Sequence, residues 1–139
     1  MKKVWFASMV VFILGLFASG CAANSSNIKE ERTVSLYEMS GFSAVKEGSQ
    51  RVVTDTEEIA MWHKAMTDSV QQPGIVNMAD PHYKVDLGEQ SYFLWIEKNG
   101  GTVMNVKDTH TIRRLTPKYA KTVYDAIQVH YPDNQIART

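Results

Sequence analysis

The alternation of apolar and polar residues predicts short β-strands in two parts of the chain. The first part contains strands at 34–39 and 51–54, and residues 42–46 form either a further short strand or a packed loop. The second part contains four strands in succession, separated by residues that favour tight turns: 83–87, 91–97, 102–107 and 110–115. Neighbouring strands joined by tight turns pair antiparallel, so this second part is predicted to form a meander.

A first helix is predicted between these two groups of strands. Thr54 and Glu57 have the spacing of a capping box, and the acids at 55, 57 and 58 suit the positive end of a helix dipole. The helix is predicted to end before Gln72, ahead of Pro73 and Gly74. Apolar residues recur at helical spacing along it and make one stripe: Ile59, Trp62, Met66 and Val70.

A second helix is predicted near the end of the chain. Thr116 suits the N-cap, and Pro117 suits the first helical position, where a missing N–H costs nothing. The helix is predicted to end at Tyr131, and its apolar face contains Tyr119, Val123, Ala126 and Ile127. The resulting order, ββ(β)-α-ββββ-α, predicts an α+β fold: an antiparallel β-meander with two amphipathic helices packed on it.

The first 20 residues have the pattern of a bacterial lipoprotein signal peptide. Lys2 and Lys3 precede an uncharged apolar run at 4–17, and small residues at 18–20 precede Cys21. Helices that span a bilayer need about 20 apolar residues, so this shorter run favours a cleaved signal over an uncleaved membrane anchor. Position 18 is alanine, where most lipoprotein signals carry leucine. Cys21 is predicted to carry a diacylglyceryl group and to anchor the mature protein to the outside of the cell membrane.

Composition predicts a tether, one domain and a tail after the signal. Residues 21–32 are small, polar and charged, which is typical of a flexible tether. Residues 33–131 suffice for a single globular domain, and residues 132–139 are predicted to be a frayed tail. The full chain has 15 basic and 15 acidic residues, and removal of the leader's two lysines makes it slightly acidic, which argues against nucleic acid as a partner.

Candidate catalytic and metal-binding residues are sparse. The chain has no GxSxG, HExxH, phosphate-loop or CxxC motif. Its four histidines fall at 63, 82, 110 and 130 and share no recognised ligand spacing. Asp80 with His82, and Asp108 with His110, could form part of a metal site, but turn chemistry explains both pairs more simply. No cofactor or metal is therefore predicted.

The aromatic strand at 91–97 contains the first candidate binding residues. Phe93 and Trp95 point to one face of the strand, whereas Tyr92, Leu94 and Ile96 point to the other. A strand that is apolar on both faces is typical of burial on both sides. The alternative is a partly open face, on which Phe93 and Trp95 form a platform for a ligand or partner.

Arg113 and Arg114 are the second candidate binding residues. With three lysines nearby in sequence, Lys107, Lys118 and Lys121, they could form a basic patch for phosphate-rich wall polymers or lipid headgroups. The simpler interpretation is a solvated strand edge and helix face.

Several short segments resemble the YhfM-like lipoproteins of Gram-positive spore-forming bacteria: Pro73-Gly74-Ile75-Val76, Asp80-Pro81-His82-Tyr83, Tyr92-Phe93-Leu94-Trp95-Ile96 and the stretch 104–112. The resemblance covers roughly residues 50–130 and implies a lipid-anchored envelope protein. It implies no activity, cofactor or catalytic residue. The hypothesis is a non-catalytic binding or interaction module at the cell envelope, and the alternative is a small envelope-associated hydrolase or metal-dependent enzyme.

Overall fold

The computed structural model describes residues 33–74 and 77–134. The predicted signal peptide, the lipidated Cys21 and the tether at 21–32 lie outside the described residues. The predictions made for them are therefore unchanged by the structure.

Seven strands form one antiparallel sheet, and the predicted α+β class is confirmed. The strands follow the order β2-β1-β4-β5-β6-β7-β3 across the sheet. The meander β4 to β7 is present as the sequence predicts, and β1 joins it by pairing with β4. The strand bounds are β1 Val34–Glu38, β2 Arg51–Val53, β3 Val70–Gln71, β4 Tyr83–Leu87, β5 Gln90–Glu97, β6 Gly100–Asn105 and β7 Asp108–Arg114.

The last turn of the meander lies two residues earlier than predicted. The sequence places it at 108–109, but the chain turns at 106–107. The side chain of Asn105 accepts a hydrogen bond from the Lys107 amide at 2.8 Å, which closes an Asx-type turn at this point. The pairing of β6 with β7 also shifts in register between Met104 and Asn105.

Two helices, α1 (Thr56–Thr67) and α2 (Pro117–His130), match the predicted pair. The N-cap of α1 is Asp55 rather than Thr54, because the Asp55 carboxylate accepts a hydrogen bond from the Glu58 amide at 2.8 Å. Helix α2 begins as predicted, with Thr116 as N-cap and Pro117 first in the helix. The Thr116 side chain makes no capping hydrogen bond.

Helix α1 ends earlier than the apolar stripe predicts. Its last residue is Thr67, and the next turn is closed by Ser69, whose hydroxyl donates to the Met66 carbonyl at 2.5 Å. Val70 then pairs with Arg114 in the short edge strand β3 and is 56% exposed. The sequence predicts a helical Val70, because the spacing of the apolar stripe fits 3.6 residues per turn. Pairing with a strand distant in sequence decides its structure instead.

The two helices cover one face of the sheet, and the main core lies between the helices and that face. The sheet contributes, among others, Leu36, Val85, Leu94 and Val103, all fully buried. Trp62 of α1 and Val123 of α2 are fully buried against it. The helices are joined at their edge by His130 Nε2, which lies 2.8 Å from Glu58 Oε1.

Residues at and just beyond the end of α2 make hydrogen bonds to the first part of the chain and to β4. The Asn134 side chain donates to Glu38 and to the Tyr83 hydroxyl, each at 2.7 Å. The Tyr131 hydroxyl donates to the Ser49 carbonyl at 2.8 Å. Burial raises the pKa of Tyr83 to about 12, with a further contribution from the Glu38 charge, and burial also raises the pKa of Tyr131.

Candidate functional site

Phe93 and Trp95 lie on the sheet face opposite the helices, and both are buried. Each side chain is 8% exposed, in a second apolar cluster with Met104 and Ile112. This is the burial that a strand apolar on both faces indicates, whereas an aromatic platform requires exposed rings. The cover comes from short non-helical segments of the chain and not from helices. Whether these residues take part in binding stays a prediction.

Four partly buried apolar residues pack against this second cluster: Met39, Phe42, Met78 and Val106. The ring centroid of Phe42 lies 5.2 Å from that of Phe93 and 6.0 Å from that of Trp95. The Trp95 indole N–H donates to the Ala79 carbonyl at 2.8 Å and thereby holds residues 77–79 against the sheet.

Residues 77–79 form one wall of an open groove of about 680 Å³. Its lining also includes residues of β5, β6 and β7 and the start of α2. The groove has a mixed lining of amide, hydroxyl, charged and apolar groups: Asn77, Met78, Ala79, His82, Trp95, Glu97, Asn99, Gly100, Gly101, Thr102, Arg114, Leu115, Pro117 and Ala120.

The sheet register sets the arrangement of the polar groups that these strands contribute. Trp95, Thr102 and Arg114 lie opposite one another in a row across three strands. Glu97 lies on the same face, two residues beyond Trp95 along β5. Within residues 33–74 and 77–134, the side chains of Glu97 and Arg114 make no hydrogen bond or ion pair.

Trp95 and Arg114 of this groove are predicted from the sequence as binding residues, whereas Glu97 and Thr102 are not. The signal that finds Glu97 is the alternation of β5, because a residue two positions beyond Trp95 shares its face. Thr102 needs the pairing of β5 with β6, in which it lies opposite Trp95. Asn77 cannot be found from periodicity, because it lies in a segment without regular structure.

A second depression, of about 330 Å³, lies beside the groove and shares Asn99 and Pro117 with it. Lys98, Tyr124 and an ion pair complete its lining. In that pair, the Lys121 ammonium lies 2.6 Å from the Asp125 carboxylate.

The basic residues predicted as a patch are not brought together. Arg113 and Arg114 are adjacent on β7 and point to opposite faces of the sheet. The Arg113 guanidinium donates to the Ser69 hydroxyl at 2.8 Å and to the Ser69 carbonyl, so it holds the end of α1. The neighbouring lysines are also separate, since Lys118 lies over the Tyr119 ring and Lys121 pairs with Asp125.

The histidines considered as metal ligands have other contacts. His82 Nδ1 lies 3.2 Å from both the amide nitrogen and the carbonyl oxygen of Ile96, so this ring nitrogen extends the β4–β5 pairing. The Asp108 side chain accepts from the His110 amide at 3.2 Å, which is turn chemistry. In the described part of the chain, no group of three or more His, Cys, Asp or Glu side chains could hold a metal ion.

Comparison with known proteins identifies the family of the chain. No curated protein and no solved structure matches the chain. Across residues 33–74 and 77–134, no helix has both the length and the apolar character needed to cross a bilayer. A family model described as YhfM protein matches residues 28–132, which include every described strand and helix. The chain therefore belongs to the YhfM protein family.

Proposed function

We propose that the protein is a non-catalytic binding module, held at the outer face of the cell membrane by a lipid on Cys21, and that the groove is its binding surface. The observation that carries this proposal is the pair of opposite charges in the groove. Arg114 and Glu97 are exposed, line the same open groove and have no hydrogen-bond or ion-pair partner among the described residues. Unpaired charged groups in a concavity are available to a ligand.

The chemistry of the groove supports recognition over catalysis. Its polar side chains are carboxamides, a hydroxyl, a guanidinium and a carboxylate, which hold a ligand by hydrogen bonds and ion pairs. His82 also lines the groove and is the residue that favours the alternative, a metal-dependent enzyme or small hydrolase. Its Nδ1 lies 3.2 Å from the Ile96 backbone, and its Nε2 is the ring nitrogen that a metal or substrate would use.

Photo-cross-linking in the native membrane tests the groove. We expect a photoreactive amino acid at Thr102 to give an adduct that is lost when Arg114→Glu is added. The same amino acid at Val129, an exposed position of α2 outside the groove lining, should give no Arg114-dependent adduct. If Thr102 gives no adduct either with Arg114 present or with Arg114→Glu, the proposed binding surface is contradicted.

The unfolding temperature in the presence of zinc distinguishes the binding module from a metal-dependent enzyme. A metal site should raise the unfolding temperature of the protein in the presence of zinc chloride, because a ligand that binds only the folded state stabilises it. The binding-module proposal predicts no such shift. A large shift that His82→Ala abolishes would favour the metal-dependent enzyme instead.

Membrane anchoring is tested separately by mass. We expect the membrane-extracted protein to begin at a diacylated Cys21, and Cys21→Ser to leave unprocessed precursor or released protein. An intact mass that shows an unmodified cysteine or an uncleaved leader would contradict the anchor.

A further inference from the structure

The separation of the two unpaired charges limits what the groove can bind. Arg114 lies two strands away from Glu97 across the sheet and two residues away along it. With about 4.8 Å between strands and about 3.4 Å per residue, their Cα atoms are about 12 Å apart. The guanidinium and the carboxylate do not pair with each other in the structure. A ligand that pairs with both side chains therefore carries two opposite charges, and this Cα separation sets the scale of the distance between them.

The charge signs decide between two kinds of ligand. A guanidinium binds carboxylate or phosphate through two parallel hydrogen bonds, and a carboxylate binds an ammonium group. A polyanion could use Arg114, but it would place further negative charge beside Glu97. Like charges in a concave site repel each other, so the groove favours a zwitterionic ligand over a polyphosphate chain.

The groups between the charges suit the main chain of a peptide. The side chains of Asn77, Asn99 and Thr102 line the groove and make no hydrogen bond within the described residues. Carboxamides and hydroxyls both donate and accept, as the alternating N–H and C=O groups of an extended peptide require. An extended peptide spans at most about 3.3–3.6 Å per residue, so three or four residues bridge the two charges.

The groove is also of suitable size. Its volume of about 680 Å³ lies within the range of about 300–1,000 Å³ that is usual for ligand sites. Building on the proposed function, we infer that the groove binds a short extended peptide with free ends, whose carboxylate pairs with Arg114 and whose amino group pairs with Glu97.

The test uses the full chain in detergent and four probes: trialanine with free termini, its N-acetylated form, its C-amidated form and inorganic polyphosphate. Binding is measured by ¹H–¹⁵N NMR titration, with the Thr102 and Gly100 amides as local reporters. We expect free trialanine to bind and either capped form to bind about tenfold more weakly, since one charge-assisted contact is lost.

Variants assign each charge to its partner. Arg114→Gln should weaken binding of the free and N-acetylated peptides and leave the already weak C-amidated peptide unchanged. Glu97→Gln should weaken binding of the free and C-amidated peptides and leave the already weak N-acetylated peptide unchanged. Arg51→Gln, at an exposed arginine of the edge strand β2, is the matched control and should leave all affinities unchanged.

Two outcomes overturn the inference. Equal binding of free and capped peptides would remove the two-ended recognition, and polyphosphate binding more tightly than trialanine would assign the site to polyanions. Either result leaves the proposed function intact, provided that the Thr102 adduct still depends on Arg114. Loss of that adduct removes the binding surface itself.

Discussion

Replacing Trp95 by alanine tests whether the second apolar cluster is buried in solution, because truncation of a buried side chain lowers the free energy of unfolding. The side chain is 8% exposed, its ring packs against Phe42 and Phe93, and its N–H is bonded to the Ala79 carbonyl. Removal of a buried tryptophan side chain costs about 3–5 kcal/mol, as transfer and cavity terms together. Part of this loss comes from the ring contacts, at about 0.5–1.5 kcal/mol for each aromatic pair. Domains of this size unfold with about 5–15 kcal/mol, so the variant should lose a large part of its stability.

Urea unfolding followed by the fluorescence of the fully buried Trp62 measures this loss in Trp95→Ala. With a slope of about 2 kcal/mol per molar urea, a loss of about 4 kcal/mol moves the midpoint by about 2 M. Trp95→Phe retains most of the ring but loses the hydrogen bond, and should lose about 1–2 kcal/mol. Val129→Ala, at a side chain that is 77% exposed, should change stability by less than about 0.5 kcal/mol. If Trp95→Ala loses as little stability as Val129→Ala, the Trp95 side chain is exposed in solution, and this result would favour the aromatic platform.

Three further predictions concern other parts of the domain. Glu58→Ala should lower the free energy of unfolding by about 1–3 kcal/mol in urea melts, because it removes the partner of His130 between the two helices. Gly101→Ala should destabilise by about 1–3 kcal/mol in the same assay, because the added Cβ would lie 2.7 Å from a Leu115 methyl carbon. Burial raises the pKa of Tyr83 from 10.0 to about 12, so its ionisation should lower stability by up to about 3 kcal/mol between pH 10 and pH 12, in addition to the loss from Tyr131, whose pKa burial also raises. Tyr83→Phe should flatten this decline, and an unchanged alkaline unfolding curve would contradict the assignment.

The meander and both helices could be predicted because their signals are local. Turn residues and strand alternation lie within a few positions of each other, and Pro117 marks the start of α2 directly. The wrong predictions concern positions at which two alternatives fit the local sequence almost equally well. Thr54 and Asp55 are both good N-cap residues, and only the bond to the Glu58 amide distinguishes them. Val70 fits a helix stripe, but its pairing with Arg114 depends on a strand more than 40 residues away.

The candidate site was less predictable because it is assembled from distant segments. Alternation placed Phe93 and Trp95 on one face, but nothing local indicates that Phe42 would cover them. The same alternation separates Arg113 from Arg114, and a strand assignment through 110–115 already implies this separation. Two adjacent arginines on one strand therefore cannot share a patch on one face of the sheet.

The two faces of the sheet differ in how they are covered, and this difference explains where the groove lies. Helices α1 and α2 pack on one face, whereas the apolar cluster on the other face is covered by short segments that include Phe42 and Met78. Beyond Trp95 that cover ends, and the sheet continues toward Thr102, Arg114 and the start of α2. Polar side chains replace apolar ones at this boundary, because water reaches the sheet there. The Trp95 hydrogen bond to Ala79 fixes one wall of the groove, so the same residue that closes the apolar cluster also shapes the neighbouring polar site.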